Sequence, residues 1–233
     1  MSTLLVRLAG PLQSWGDGSR FSERRTRREP TKSGIIGLLA SAQGRRRTDP
    51  VEDLLALEFA VRVDQPGSVR RDFQTAIRWE AETKDKPTMP LSQRYYLEDA
   101  VFVAGVAGDA SLVSMLAEAL RDPRWAPFLG RRSCPPSQPL LMGVVEEDVR
   151  TAVMNAPWQA ANWHRDRVGH RDRVPVRCDA RPEERGLETV RDSPSSFDPR
   201  RRQHGWRETV ELSTTVTDDQ ATAEPDFFEV HTG

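Results

Sequence analysis

Three short arginine runs stand out in a chain of 233 residues whose formal net charge is only -1. They are Arg24-Arg25-Thr26-Arg27-Arg28, Arg45-Arg46-Arg47 and Arg131-Arg132-Ser133, and each falls where glycine, proline or polar neighbours predict a loop. A guanidinium presents a rigid fork of donors that matches two phosphate oxygens, so several such runs near one another point to a polyanion. Between the first two runs lies Pro30-Thr31-Lys32-Ser33-Gly34. It reads as the first turn of a helix, where free N–H groups and a lysine favour an anion. The expected anion is an RNA backbone. Phe73 beside Arg70 and Arg71, and Tyr95 and Tyr96 beside Arg94, offer flat rings on which unpaired bases stack.

The charge is segregated. Residues 1–47 hold ten basic side chains against three acidic ones, and residues 208–233 hold seven acids with no lysine or arginine. A basic front and an acidic tail fit a polyanion site at one place and repulsion or protein contact at another.

Other chemistry is poorly supplied. His164, His170, His204, His231, Cys134 and Cys178 are the soft ligands, with no C-x-x-C or H-E-x-x-H spacing, so neither a metal nor another cofactor is expected. The glycines match neither G-x-G-x-x-G nor a phosphate-binding G-x-x-x-x-G-K-[ST]. His164 and His170 flank Arg165-Asp166-Arg167, which leaves metal-independent RNA cleavage as the alternative activity. Both lie in a segment without clear structure and read better as solvated or RNA-adjacent, so no catalytic residue is assigned. Two cysteines suggest a reducing, cytoplasmic setting rather than a disulfide scaffold. The apolar N-terminus, broken by Arg7, reads as a first strand and not a signal peptide, and no run is long enough to span a membrane.

The positioning elements follow from periodicity. Leu4, Val6 and Leu8 alternate as a strand that Gly10-Pro11 ends, and 19–29 reads as a basic loop. Ile35, Leu38, Leu39 and Ala42 mark a helix capped by Thr31 or Ser33; Gly34 and Gly37 within it suggest the close approach of another backbone or a ligand. A second strand contains Phe59 to Val63, and 96–106 reads as one continuous third strand. Leu112, Met115, Leu116, Ala119 and Leu120 give the clearest helix, capped by Asp109 or Ser111 and ended by Pro123; 139–146 is a fourth strand. The stretch 65–94 is long, basic and poorly hydrophobic, with a possible strand over 69–79 and a polar break at Lys84-Asp85-Lys86-Pro87. It predicts a projecting hairpin or a disordered insert. After a short helix to Ala156, residues 157–207 carry isolated anchors (Trp158, Trp163, Phe197, Trp206) in an Arg/Asp/Pro-rich background, with a last strand near Val210 to Leu212. The tail from Asp218 reads as disordered or partner-bound.

The resulting order, strand–helix–strand–strand–helix–strand, predicts an α+β, ferredoxin-like fold of the kind used by RNA-recognition domains. Residues 1–149 form this domain with the hairpin inserted at about 65–95, and 150–233 form a partly irregular C-terminal extension.

The motifs LAGPLQSWG, PTKSGIIGLLA, RYYLEDAVFVAGV and FLGRRSCPPSQPL, in that order and spacing, resemble the CasD family. That is the Cas-five subunit of the type I-E CRISPR surveillance complex, Cascade. The resemblance runs from the N-terminus to about residue 146 and is weaker beyond 149. It implies a ferredoxin-like, RRM-type palm with a projecting β-hairpin thumb that holds the 5′ handle of the crRNA and caps the backbone filament. It also implies contacts with the CasC backbone subunit, the CasA large subunit and other Cascade subunits, with target DNA met indirectly. The type I-E members are regarded as non-catalytic, whereas type I-C relatives cut RNA with a Tyr, Lys and His set. Gln74 stands where some relatives carry His. Under this reading Thr31, Lys32 and Ser33 meet handle phosphates, and Arg131, Arg132 and Ser133 meet the same strand from the other helix side. Arg70, Arg71 and Arg94 line the thumb, and Arg24, Arg25 and Arg27 belong to the basic arm.

Overall fold

The strand that starts the chain, β1 (Ser2–Ala9), is buried along almost its whole length. Its two side-chain parities go to two different cores. Leu4, Val6 and Leu8 pack on one face of a sheet, and Leu5 packs on the other. A strand covered on both faces has lost its polar side, which is why β1 reads as nearly continuous apolar sequence.

The computed structural model describes residues 1–16, 22–77, 91–185, 187–198, 200 and 203–218. After β1 come four two-residue strands: β2 (Leu12–Gln13), β3 (Trp15–Gly16), β4 (Glu23–Arg24) and β5 (Thr26–Arg27). Helices α1 (Lys32–Ala42) and α2 (Glu52–Leu55) lead to β6 (Glu58–Gln65), β7 (Ser68–Gln74), β8 (Ser92–Glu98) and β9 (Val101–Gly108). Then follow α3 (Ala110–Arg121), β10 (Leu141–Val145), α4 (Val149–Asn155) and α5 (Asn162–Val168). The strands β11 (Arg171–Asp179), β12 (Glu188–Ser196) and β13 (Gln203–Thr217) complete the order.

The main sheet has seven strands in the order β10-β1-β9-β6-β11-β13-β12, with every neighbouring pair antiparallel. Helices α1 and α3 lie on one face, over Phe59, Val61, Phe102, Ala104 and Val106. The short α4 covers the other face, where Val149 and Val153 meet Ala60, Val103 and Cys178. Three helix starts are capped by side chains, two of them at residues the sequence marks, Thr31 and Asp109. Thr31 Oγ1 accepts from the Gly34 amide, Asp109 from Ser111 and Leu112, and Asp148 from Arg150 and Thr151.

One buried ion pair fastens the second face. Arg62 and Asp64, both fully buried, meet at 2.6 Å. The remaining Arg62 donors reach the carbonyls of Val153, Met154, Ala156 and Pro157, and Asp64 accepts from the Gln159 amide. Arg62 thus supplies the donors that the last carbonyls of α4 lack.

Three features differ from the sequence expectation. The stretch 96–106 is not one strand: Asp99, at φ +55, turns the chain between β8 and β9. Asp tolerates this left-handed conformation because its short polar side chain costs little there. The second difference is the C-terminal part. Much of 157–207, expected to be irregular, belongs to β11, β12 and the start of β13, which extend the sheet past β6. Val174, Val176 and Cys178 alternate inward along β11, but the charged residues between them hide the pattern. The basic loop expected over 19–29 contains β4 and β5, with 17–21 outside the described residues. Also outside them are Arg78, Trp79, the Lys84 to Pro87 break, His231 and the tail from 219.

A second, small sheet stands beside the first. β7 and β8 form an antiparallel ribbon with Arg70 opposite Tyr96, Arg71 opposite Tyr95 and Asp72 opposite Arg94. The other edge of β8 takes β2 at Leu97 and Glu98, and β4 in parallel at Gln93 and Arg94.

Candidate nucleic-acid interface

The sequence predicts an α1 start that is open to phosphate. In the fold it is filled from within. The Lys32 backbone N–H donates to Asp192 Oδ2 at 3.0 Å, and Lys32 Nζ donates to Asp179 Oδ2 at 2.9 Å. Arg207 joins the two carboxylates, donating to Asp179 at 2.6 Å and to Asp192 at 2.6 and 3.0 Å, with its guanidinium 5.3 Å from the centre of the Phe59 ring. Burial pushes the Asp192 carboxyl up, but the hydrogen bond and charge of Arg207 outweigh it and hold the group below its ordinary range. Thr31 and Lys32 are buried, and two carboxylates face the helix start. In this structure the polar groups of Thr31 and Lys32 are taken up inside the protein, so neither faces outward to a ligand. Ser33, 9% exposed, reaches the rim of a groove on the outer side of α1.

An aromatic ring explains Gly34, while Gly37 has room for a side-chain carbon. A Cβ on Gly34 would stand 2.8 Å from the buried Trp15 ring, and one on Gly37 would meet Phe197 at 3.6 Å.

Of the other basic residues, Arg131 joins the arm to the ribbon. Its Nη2 donates to the Arg24 carbonyl at 2.9 Å and its Nη1 to the Tyr95 carbonyl at 3.2 Å, with its guanidinium 4.7 Å from the centre of the Tyr96 ring. Arg94 pairs in register with Arg24, so Arg24, Arg94 and Arg131 meet beside Tyr95 and Tyr96. Three chain segments supply this cluster. It is held in shape by Gly130, whose φ of +83 carries the loop so close to β3 that a Cβ would lie 1.8 Å from the Ser14 carbonyl oxygen. The Tyr95 hydroxyl donates to Glu23, and Arg25 pairs with the same carboxylate at 3.1 Å. On the ribbon, Arg70 makes a two-pronged contact with Glu98, and Arg71 is exposed. Arg27, on β5, pairs in register with Trp15.

The residues that follow Arg131 divide between the two sides. Arg132 and Ser133 are exposed next to Arg131, with Ser133 on the ribbon side and Arg132 on the side of α1. Sequence reasoning missed Asp179, Asp192 and Arg207. Asp179 and Asp192 lie 147 and 160 residues from Lys32 in the chain, and no local pattern announces such a contact.

The two described candidate acid–base histidines do not join the cluster. His164 is buried in α5, edge-on to Trp163, and burial pushes its imidazole below the ordinary range. His170 follows the Gly169 cap of α5 at φ +62, against Asp218 and Asp166. Among the described residues no group of three or more His, Cys, Asp or Glu is arranged to hold a metal ion, and no helix is long and apolar enough to cross a membrane.

The family profile described as CRISPR-associated protein (Cas_Cas5) matches residues 3–210. The chain belongs to the Cas5 family. A similar protein is the CRISPR system Cascade subunit CasD of Escherichia coli (strain K12), 35% identical over 172 residues that cover 66% of this chain and 76% of that protein. Among solved structures, a chain of a CRISPR RNA-guided surveillance complex matches at 34% identity and TM-score 0.77, covering 96% of this Cas5 chain and 95% of the other. A structure titled Crystal structure of Cas protein matches at 35% identity and TM-score 0.69, with 96% and 99% covered. All the candidate site residues of this Cas5 protein fall inside the profile match.

Proposed function

We propose that this Cas5 protein is the non-catalytic, crRNA-binding subunit of a type I-E Cascade complex. It grips the 5′ handle of the guide RNA and caps the backbone filament, in contact with CasC, CasA and the other Cascade subunits in the cytoplasm. In this reading β1–α1–β6–β9–α3–β10 is the ferredoxin-like palm, supported by the strand order β10-β1-β9-β6. The β7/β8 ribbon is the base of the thumb.

The observation that carries the reading is the meeting of Arg24, Arg94 and Arg131 beside Tyr95 and Tyr96. Guanidinium groups beside Tyr95, the more exposed of the two rings, suit a single strand, whose phosphates and exposed bases can be held at once, while the buried Tyr96 supports Arg131. The similarity to CasD and to a chain of an RNA-guided surveillance complex supports the same reading.

The test is retention of guide RNA by the assembled complex. Arg24→Gln with Arg131→Gln should lower the RNA content and flatten the salt dependence of binding by roughly 1.4 log units per log unit of salt, for two lost phosphate contacts. Unchanged RNA content in an intact complex would remove the assignment. Incubating the pure protein with repeat RNA in EDTA tests the alternative: specific cleavage, lost on changing His164 or His170, would make the protein an endoribonuclease.

A further inference from the structure

The outer face of α1 lines a groove of about 650 Å³ on the far side of the loop that carries Arg131. Its lining on α1 includes the small residues Gly37, Ala40 and Ser41. Arg46 and Arg47, from the turn after α1, and Trp125 and Arg132, from the segment after α3, line it as well. Phe197 borders it at Gly37.

The chemistry of the lining is one-sided. Four arginines and no carboxylate line the groove. Arg45 is committed to Asp53. The guanidinium groups of Arg46, Arg47 and Arg132 make no ion pair among the described residues, and Trp125 is 43% exposed. An indole left in solvent beside three uncommitted guanidinium groups has no evident role in folding.

We propose that this groove is a second binding site, for a single-stranded polynucleotide, with a base stacked on Trp125 and phosphates on Arg46, Arg47 and Arg132. The inference deepens the functional reading above and rests on it. The lining favours a polynucleotide over an acidic peptide. A base is a flat slab that stacks on an indole, and the guanidinium groups around Trp125 match the phosphates that flank it. Consecutive residues then serve two surfaces, since Arg131 turns to the ribbon and Arg132 to the groove. A strand crossing at Gly130 is bent between them.

The experiment uses the purified full chain and a fluorescein-labelled single-stranded RNA of roughly eight nucleotides, within the range one such surface binds. Binding is followed by fluorescence anisotropy, with the thermal midpoint of each variant as a folding control. Trp125→Ala should weaken binding about tenfold, and Trp125→Phe should retain most of it. Arg46→Gln with Arg132→Gln should weaken binding and make it less sensitive to salt. If these variants bind like the parent while Arg24→Gln with Arg131→Gln loses the RNA, the groove is not the site and the functional reading stands. If all of them bind like the parent, both fall. A synthetic peptide of residues 224–230 (EPDFFEV), acidic and aromatic, serves as competitor. Displacement by less peptide than unlabelled RNA would make the groove a protein-docking surface and overturn the proposal.

Discussion

Asp192 Oδ2 accepts the backbone N–H of Lys32 at 3.0 Å, so a strand at the far edge of the sheet caps the helix that follows the basic arm. Asp192 also shares Arg207 with Asp179, which in turn holds Lys32 Nζ and the Phe59 amide. Two carboxylates and two cations form a closed, neutral group. Removing one member leaves a partly buried charge without its partner. Asp192→Ala should therefore cost about 3 kcal/mol, as for a broken buried pair, read as a lower urea midpoint. Asp192→Asn, which keeps an acceptor for the Lys32 amide, should cost less. Equal midpoints for the parent and Asp192→Ala would mean that the network does not hold the helix start.

Acid should weaken the fold in a defined window. The hydrogen bond from Arg150 pulls the Glu184 carboxyl down from 4.5 to about 2. Asp192 is held below its ordinary 3.8, because Arg207 outweighs the effect of burial. A carboxyl with a depressed folded pKa contributes stability above its unfolded value and loses it as pH falls toward the folded one. Stability should thus decline from pH 4.5 to about 2. Glu29 acts with the opposite sign. Burial raises its carboxyl despite Arg177, so its contribution weakens as pH rises through 4.5. Denaturant titrations across this range, with Asp192→Asn showing a shallower fall below 3.8, check the assignment.

Gly130 is a single point of failure for the basic cluster. Its φ is +83, and a Cβ there would lie only 1.8 Å from the Ser14 carbonyl oxygen, which leaves no room for a side chain. Gly130→Ala must move either the loop or β3, at a cost of at least about 1–3 kcal/mol. Arg131 would then lose its grip on the Arg24 and Tyr95 carbonyls. Guide retention should fall along with the thermal midpoint. A variant of native stability and native RNA content would contradict the geometry.

The two thiols should be silent in the native protein. Cys134 and Cys178 are both fully buried, and burial pushes the Cys178 thiol up to about 11. A thiol reagent at about pH 8 reacts with the thiolate, so neither should label until denaturant is added. Fast labelling of Cys178 in buffer would reveal opening between β11 and its neighbours.

The sequence was most legible where local signals agreed. Asp109 followed by the apolar spacing of α3 predicts that helix to within a residue or two, and Thr31 marks the start of α1. Legibility failed where one signal masked another. β11 alternates cleanly at Val174, Val176 and Cys178, but Arg171, Asp172, Arg173, Pro175 and Arg177 make it look like loop. In the site, residue type was informative and orientation was not. Lys32 has the chemistry of a phosphate ligand, but Asp179 and Asp192 reach it from strands near the other end of the chain. Arg131 and Arg132 are adjacent in sequence, and only the fold turns them to opposite sides.

The pairing of β6 with β11 has a consequence for synthesis. One edge of β6 is covered by β9, but the other waits for Val176 to Cys178, more than a hundred residues later in the chain. At translation rates of about 5–20 residues per second, that edge stays open on the ribosome for roughly 5 to 20 seconds. Its backbone donors and acceptors are meanwhile free to pair with another nascent strand. Slow translation through 66–176 therefore lengthens the exposure, and yield in a heterologous host should track the speed of that segment.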